Sequence, residues 1–229
     1  MLAISRRARC AQRVAEIKQQ QGDTNYYRPE REAQVLRRIM ADNQGPVDNE
    51  EMARLFRQIM SACLALEQPL KVAFLGPEGT FTQEAALKHF GQSAISMPKS
   101  AIDEVFREVV AGGCDYGVVP VENSTEGVIS HTLDSFIDSS LTISGEVELR
   151  IHQHFMIGAS THEDKITRVY SHSQSLAQCR PWLDANYPSI ERIADSSNAQ
   201  AAKRVQGEWN SAAIDGEWSC AWSGLKQLS

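Results

Sequence analysis

Near residue 69 the spacing of apolar positions changes from a helical period to alternating short runs. Ahead of that point Cys10, Ala11, Val14 and Ile17 form the stripe of a first helix, already in progress at Met1. A polar loop from Gln19 to Asn25 follows, and Pro29 fits the first position of a second helix whose buried face is Leu36, Ile39 and Met40. Asp48 starts a third helix, with Glu51 three residues on in a capping-box arrangement. Met52, Leu55, Phe56, Ile59, Met60 and Cys63 then line one face until Pro69 ends it. Three amphipathic helices of this length leave their stripes open, so a partner chain, a homodimer, is expected.

Beyond Leu70 the pattern is that of an α/β body. Val72-Ala73-Phe74-Leu75 reads as a buried parallel strand, broken by Gly76-Pro77-Glu78-Gly79 and restarting as a helix at Thr80-Phe81-Thr82. Ser100 is expected to cap a helix through Ile102, Val105, Phe106 and Val109, and 116–121 is the next strand, with the loop 122–127 directly after it. A helix through His131 and Phe136 leads into alternating runs at 141–150 and 152–157, read as strands crossing between two lobes. A second set of units predicts strands at 166–170, 190–194 and 212–214, with helices at 174–185 and 198–205. The architecture implied is two α/β lobes with a cleft between them.

Composition narrows the function. Over 229 residues, 42% hydrophobic and 23% charged is ordinary globular content, enough for one good core or two modest ones. A net charge of −6 argues against nucleic acid as a partner. No run reaches the roughly 18 apolar residues of a membrane span, and the early arginines sit inside a helical pattern, so a soluble cytoplasmic chain is expected. The cysteines are scattered with no Cys-x-x-Cys pair, and His152 and His154 share a strand face without further ligands at metal spacing, so no metal is expected.

Two stretches carry candidate chemistry. In the loop 76–82, two glycines permit tight turns and Thr80 and Thr82 put hydroxyls beside the free N–H groups of a helix N-terminus, a place that binds a phosphate or the carboxylate of a small organic acid. The absence of a following Lys-Ser/Thr and of a third glycine argues against a nucleotide loop, while a plain strand-to-helix turn fits the residues equally well. In the helical part, Arg7, Lys18, Arg28 and Arg31 are cations placed to converge, with Glu32 and Glu67 as carboxylates. A solvated charged surface is the other reading.

The wording Gly-Pro-Glu-Gly-Thr-Phe-Thr at 76–82 resembles the opening of the prephenate dehydratase catalytic domain. Val119-Pro120-Val121-Glu122-Asn123-Ser124 with Gly127, then Tyr170-Ser171-His172 with Gln174 and Leu176-Ala177-Gln178-Cys179, are similar to that family's next signatures in order and spacing. Residues 1–68 resemble the helical chorismate mutase domain that precedes it in the bifunctional enzymes of phenylalanine synthesis. The resemblance implies a fold like the type II periplasmic binding proteins, two domains at 1–68 and 69–229, and a lyase activity joined to an isomerase activity. Its substrates would be chorismate and prephenate.

The same resemblance assigns residues. The mutase pattern has cations where Arg7, Lys18 and Arg31 stand and an acid where Glu32 stands. Glu67 occupies the place of a glutamine that donates to the ether oxygen of chorismate, which a glutamate does only when protonated. Arg28 stands where many relatives have aspartate. Fixed cations suit a dicarboxylate that rearranges through a polar transition state, and no cofactor is needed. In the dehydratase part Thr80, Asn123, Ser124 and Ser171 are implied donors to substrate oxygens, Gln178 an orienting amide and Glu122 a support or proton-relay group. The residues alone also allow Thr80 as a helix cap, Asn123 as a turn residue, and Ser171 and Gln178 as packing.

Three departures from the pattern are visible. The first helix lacks an upstream arginine, and the chain stops at Ser229, ahead of a Thr-Arg-Phe motif and a phenylalanine-sensing domain, so both ends are expected to be incomplete. Between Ile214 and Gly224 the stretch 215–223 replaces an Ala-Gly and small apolar run, as a pair of compensating frameshifts would. Alternatively, then, the chain is a prephenate-binding module without turnover, or a nonfunctional fragment.

Overall fold

The computed structural model describes residues 2–22, 27–124, 127–216 and 223–228. It opens with three helices, α1 (Leu2–Gln21), α2 (Pro29–Asp42) and α3 (Asn49–Ala65). α1 runs three residues into the expected polar loop, and positions 1 and 23–25 of the first helix and loop lie outside the described residues. Pro29 holds the first position of α2, where a missing N–H costs nothing. At α3 the Asp48 carboxylate accepts the Glu51 N–H at 2.8 Å, but the Glu51 side chain takes Arg54 Nε at 2.7 Å, so the box closes from one side only. α3 ends four residues before Pro69, where the Glu67 N–H turns back to Leu64 O at 2.8 Å.

The first lobe follows as β1 (Lys71–Leu75), α4 (Phe81–Phe90), β2 (Ile95–Lys99), α5 (Ile102–Val110) and β3 (Tyr116–Val118). Its strands pair in the order β2-β1-β3, all parallel. Val72, Ala73 and Phe74 are fully buried, as a central parallel strand requires. Ser100 does not cap α5. Its N–H and hydroxyl both reach Glu104 Oε2, at 2.9 and 2.6 Å, and Ala101 stands at the cap. β3 stops at Val118, shorter than expected, and the 122–127 loop is a small antiparallel hairpin of β4 (Glu122–Asn123) and β5 (Gly127–Val128). The next helix, α6 (Ser130–Asp138), sets Phe136 edge-on to Phe106 with ring centroids 5.0 Å apart.

The largest correction falls on the crossing strands. Of the two expected runs only β6 (Gln153–Ile157) pairs, and 139–152 carries no regular structure. A strand needs a neighbour's free edge, and this stretch instead lies over α4. There Lys88 Nζ donates to Glu148 O at 2.8 Å, and a Cβ at Gly145 would meet the His89 ring at 3.1 Å.

The second lobe contains β7 (Arg168–His172), α7 (Ser173–Gln178), α8 (Arg180–Asn186), β8 (Glu191–Asp195), α9 (Asn198–Val205), β9 (Ser211–Gly216) and β10 (Lys226–Gln227). Its sheet runs β10-β6-β9-β7-β8 and is mixed, with β6 antiparallel to β9 and to β10. One face packs Met156, Tyr170 and Ala213 against α9, and the other packs Phe155, Val169 and Ile214 against Leu183. β7 lies two residues later than its expected position, so Ser171 and His172 belong to the strand. The single helix expected at 174–185 breaks at Cys179, ahead of Pro181. Of the altered stretch, Asp215 and Gly216 continue β9 with Asp215 buried, and 217–222 lie outside the described residues.

Helices and first lobe share a core. Tyr27 and Leu64 pack with Leu70, Val72, Ala86 and Phe90, and Gln92 N–H donates to Gln58 Oε1 at 3.0 Å. Gly91 closes this junction with φ of 84°, and a Cβ there would sit 2.3 Å from Ser61 Cβ. Gly91→Ala is therefore expected to cost about 2–4 kcal/mol, combining overpacking with a left-handed backbone. Gly22→Ala, with φ of 71° but open space around it, is expected to cost about 1 kcal/mol. Urea midpoints of the two variants check the difference.

Candidate functional site

In the helical part the structure brings Lys18 and Glu67 together. Lys18 lies in the last turn of α1, and Glu67 follows α3, half-buried. Burial pushes the Glu67 carboxyl above the ordinary range, and the Lys18 ammonium opposes that shift. Arg7 lies eleven residues before Lys18, three turns earlier on the same face and about 16 Å along the axis. Arg7, Arg28 and Arg31 are exposed, with Arg31 Nη1 reaching Gln34 Oε1 at 3.4 Å.

Glu32 is half-buried and bound twice, by Arg57 Nε at 3.3 Å and by the Tyr27 hydroxyl. Burial raises its pKa, while Arg57 and Tyr27 pull it down. Sequence reasoning missed both partners. Arg57 sits on the polar side of the α3 stripe like any solvated arginine, and Tyr27 carried no motif.

The loop between β1 and α4 is closed on itself. Thr80 occupies the helix cap position, but its hydroxyl turns away from the helix and lies 3.1 Å from Leu75 O and 3.0 Å from Pro77 O. The Gly79 N–H is taken by Gln83 Oε1 at 2.7 Å. Thr80 thus braces the turn, and the hydroxyl expected to face an anion points inward. The same helix end meets the second lobe, because a Cβ at Gly216 would lie 2.6 Å from Phe81 Cε1.

Ser171 is also placed differently from expectation. It is fully buried at the end of β7, with its hydroxyl 2.6 Å from Ile214 O and 2.8 Å from Asn198 Oδ1. Lying in the strand and not beyond it, it acts inside the protein and does not face open space. Asn198 also accepts the His172 N–H at 2.9 Å and donates to Ser175 Oγ at 2.9 Å. Ser175 in turn takes Gln153 Nε2 at 3.2 Å, which lies 3.5 Å from Gln178 Oε1. Gln178 is exposed at the outer end of this chain of bonds. Asn198, Ser175 and Gln153 were missed, since an asparagine opening a helix reads as a local cap.

Glu122 and Ser124 are exposed on the hairpin and Asn123 is half-buried. Thr132 Oγ1, donating to Pro120 O at 2.7 Å, and Ile129 N–H, donating to Val121 O at 2.9 Å, hold that hairpin to α6. Burial raises the Cys179 thiol pKa, which disfavours a thiolate and argues against a nucleophile there. His154 Nδ1 faces Gln227 Nε2 at 2.8 Å, so one nitrogen of the His152/His154 pair is taken by an amide.

A helical region carrying half-buried acids beside cations, joined through a common core to two α/β lobes that meet at a helix N-terminus, defines a class of two-part chains, a helical part ahead of an α/β body. Comparison with known proteins narrows the class. Residues 72–229 match the prephenate dehydratase family and residues 1–68 match chorismate mutase type II. The chain belongs to the prephenate dehydratase family.

It is 66% identical over 99% of its length to a bifunctional chorismate mutase/prephenate dehydratase of Stutzerimonas stutzeri. It is likewise 66% identical over 98% of its length to the Pseudomonas aeruginosa protein of the same description. It spans 63% of the length of each. Among solved structures, prephenate dehydratase of Arthrobacter aurescens in complex with L-Phe is similar with a TM-score of 0.59 at 29% identity. That likeness covers 70% of this chain and 55% of the other.

Asn198 gathers three bonds in a buried place, and its loss takes this acceptor from the His172 N–H and leaves the Ser171 and Ser175 hydroxyls with Ile214 O and Gln153 Nε2 alone among these contacts. Asn198→Ala is expected to destabilise the protein by about 3 kcal/mol, the cost of unsatisfied buried groups. Asn198→Asp, which keeps both acceptor contacts, is expected to cost less. Chemical unfolding of the two variants checks the order.

Proposed function

We propose that the chain serves phenylalanine synthesis, residues 1–68 rearranging chorismate to prephenate and residues 69–229 converting prephenate to phenylpyruvate. The observation that carries this reading is the convergence of Lys18 and Glu67 within the part that matches chorismate mutase type II, in a chain of the prephenate dehydratase family. In the first reaction one C–O bond breaks and one C–C bond forms within a single molecule. Lys18 and protonated Glu67 donate to the ether oxygen as charge develops there, Arg7 and Arg31 hold the two carboxylates, and Glu32 accepts from a substrate hydroxyl.

In the second reaction prephenate takes up a proton and loses its ring hydroxyl as water and its ring carboxylate as CO2, driven by aromatisation. Glu122 relays the proton, Asn123 and Ser124 donate to substrate oxygens, and Gln178 orients the acid. Thr80 and Ser171, whose hydroxyls are bonded internally, brace the two surfaces that meet at Phe81 and Gly216. No cofactor takes part.

The partners proposed are these two acids and a second copy of the chain. Leu2, Val14 and Ile17 on α1 are 90%, 46% and 45% exposed, an apolar face that supports dimerisation through the helices. Among the described residues no helix is long and apolar enough to cross a membrane, and with a net charge of −6 we place the chain in the cytoplasm, without nucleic acid.

Incubating the chain with chorismate and separately with prephenate, and following prephenate and phenylpyruvate, tests the reading. Neither product forming would overturn it. Mutase activity is expected to rise as pH falls through the Glu67 pKa, which burial holds above the ordinary carboxylate range. Glu67→Gln should remove that dependence, and an unaltered profile in the variant would take Glu67 out of the site. Light scattering should give twice the 25.4 kDa chain mass. A monomer would contradict the dimer.

A further inference from the structure

The ring and the hydroxyl of Tyr27 belong to different parts of the molecule. The ring stands edge-on to Tyr116 of β3 and Phe90 of α4, with centroids 5.4 and 5.8 Å away, packed against the core of the first lobe. The hydroxyl is hydrogen-bonded to Glu32 of α2. Arg57 of α3 takes the same carboxylate at 3.3 Å, and the neighbouring His89, packed on Phe90 at 4.7 Å, has its pKa lowered by burial and then by Arg57. The groups facing Glu32 are thus Tyr27 and Arg57, with Tyr116 and His89 behind them. Glu30 and Asp115 bear on Tyr116.

We infer that Tyr27 is a positioning residue for Glu32, fixing the carboxylate of the helical site from the hydrophobic core of the α/β lobe. A carboxylate held by one arginine contact keeps rotational freedom about its own side chain. A second donor from a ring packed edge-on to Phe90 and Tyr116 removes it, and a phenol so held has little freedom to give back. The mutase acid and the dehydratase lobe are then one mechanical unit, so disturbance of the Phe90–Tyr116 packing reaches Glu32 without touching substrate. The inference rests on Glu32 being a chorismate-binding group, as proposed above.

The test uses the full chain carrying Tyr27→Phe, which keeps the packed ring and removes only the hydroxyl. Tyr116→Phe is the control. Glu32 is followed by carboxyl carbon NMR titration, a readout independent of turnover, and mutase activity is profiled against pH in a Glu67→Gln background, where the limb due to Glu67 is absent. The Tyr27 hydrogen bond lowers the Glu32 pKa, so its removal should move the carboxyl titration to higher pH. The acid limb of mutase kcat/KM should move with it, since the ionised form accepts from substrate. KM for chorismate should rise about tenfold, the order expected for one hydrogen bond to a charged group, with dehydratase turnover unchanged. Tyr116→Phe should leave all of these in place. An unmoved Glu32 titration in Tyr27→Phe overturns the inference. A titration that moves while the mutase limb stays fixed removes Glu32 from the mutase site, and the positioning role falls with it, leaving the dehydratase reading untouched.

Discussion

A central parallel strand must be covered on both faces, because its backbone is paired on either side and its side chains leave no face for water. β1 meets that demand with two different covers. The Ala73 side packs against Val105 and Cys114 within the lobe. The Val72 side packs with Phe90 and Ala86 and is completed by Tyr27 and Leu64, which belong to the helical region. Fully burying a side chain such as Val or Phe stabilises by about 1.5–3 kcal/mol, so stripping these contacts would expose a core and not merely a linker. The junction between the helices and the first lobe follows from the burial of one strand.

The second lobe answers a related constraint at the end of its own strand β7. Where β7 gives way to α7, the Ser171 hydroxyl, the His172 N–H and Ser175 fall below the surface. One asparagine from α9 satisfies all three. The Ser171 hydroxyl also reaches Ile214 O of β9, two residues before Gly216, where Phe81 of the first lobe comes close. Of the polar motif residues, Thr80 and Ser171 are bonded to backbone carbonyls, while Gln178, Glu122 and Ser124 lie at the surface.

Electrostatics in the helical part runs in one direction. Glu32 and Glu67 are both raised by burial and both opposed by a cation, Arg57 in one case and Lys18 in the other. The function proposed for them gives the two acids opposite tasks, Glu67 donating when protonated and Glu32 accepting when ionised. What separates them is hydrogen bonding, since Glu32 has Arg57 and a phenol to favour its charged form.

Much was legible in the order of residues, for a local reason. The three-and-four spacing of α3, Pro29 at the head of α2, the run Val72 to Phe74 and the span of α9 are set by near neighbours, and motif residues could be placed by their wording. The crossing strand expected at 141–150 was not decided locally, because alternation makes a strand only where another strand offers an edge, and α4 with Lys88 took its place. Ser171 was misplaced because a shift of two residues in β7 moves a motif from a loop into a strand, and register is settled by the pairing of β7 with β8 and β9. The partners of Glu32 come from 5 and 25 positions away and their meeting depends on how α3 and the first lobe pack. Periodicity and motif wording are properties of short stretches of chain, whereas edges, register and the company of a buried carboxylate exist only once distant stretches share a core.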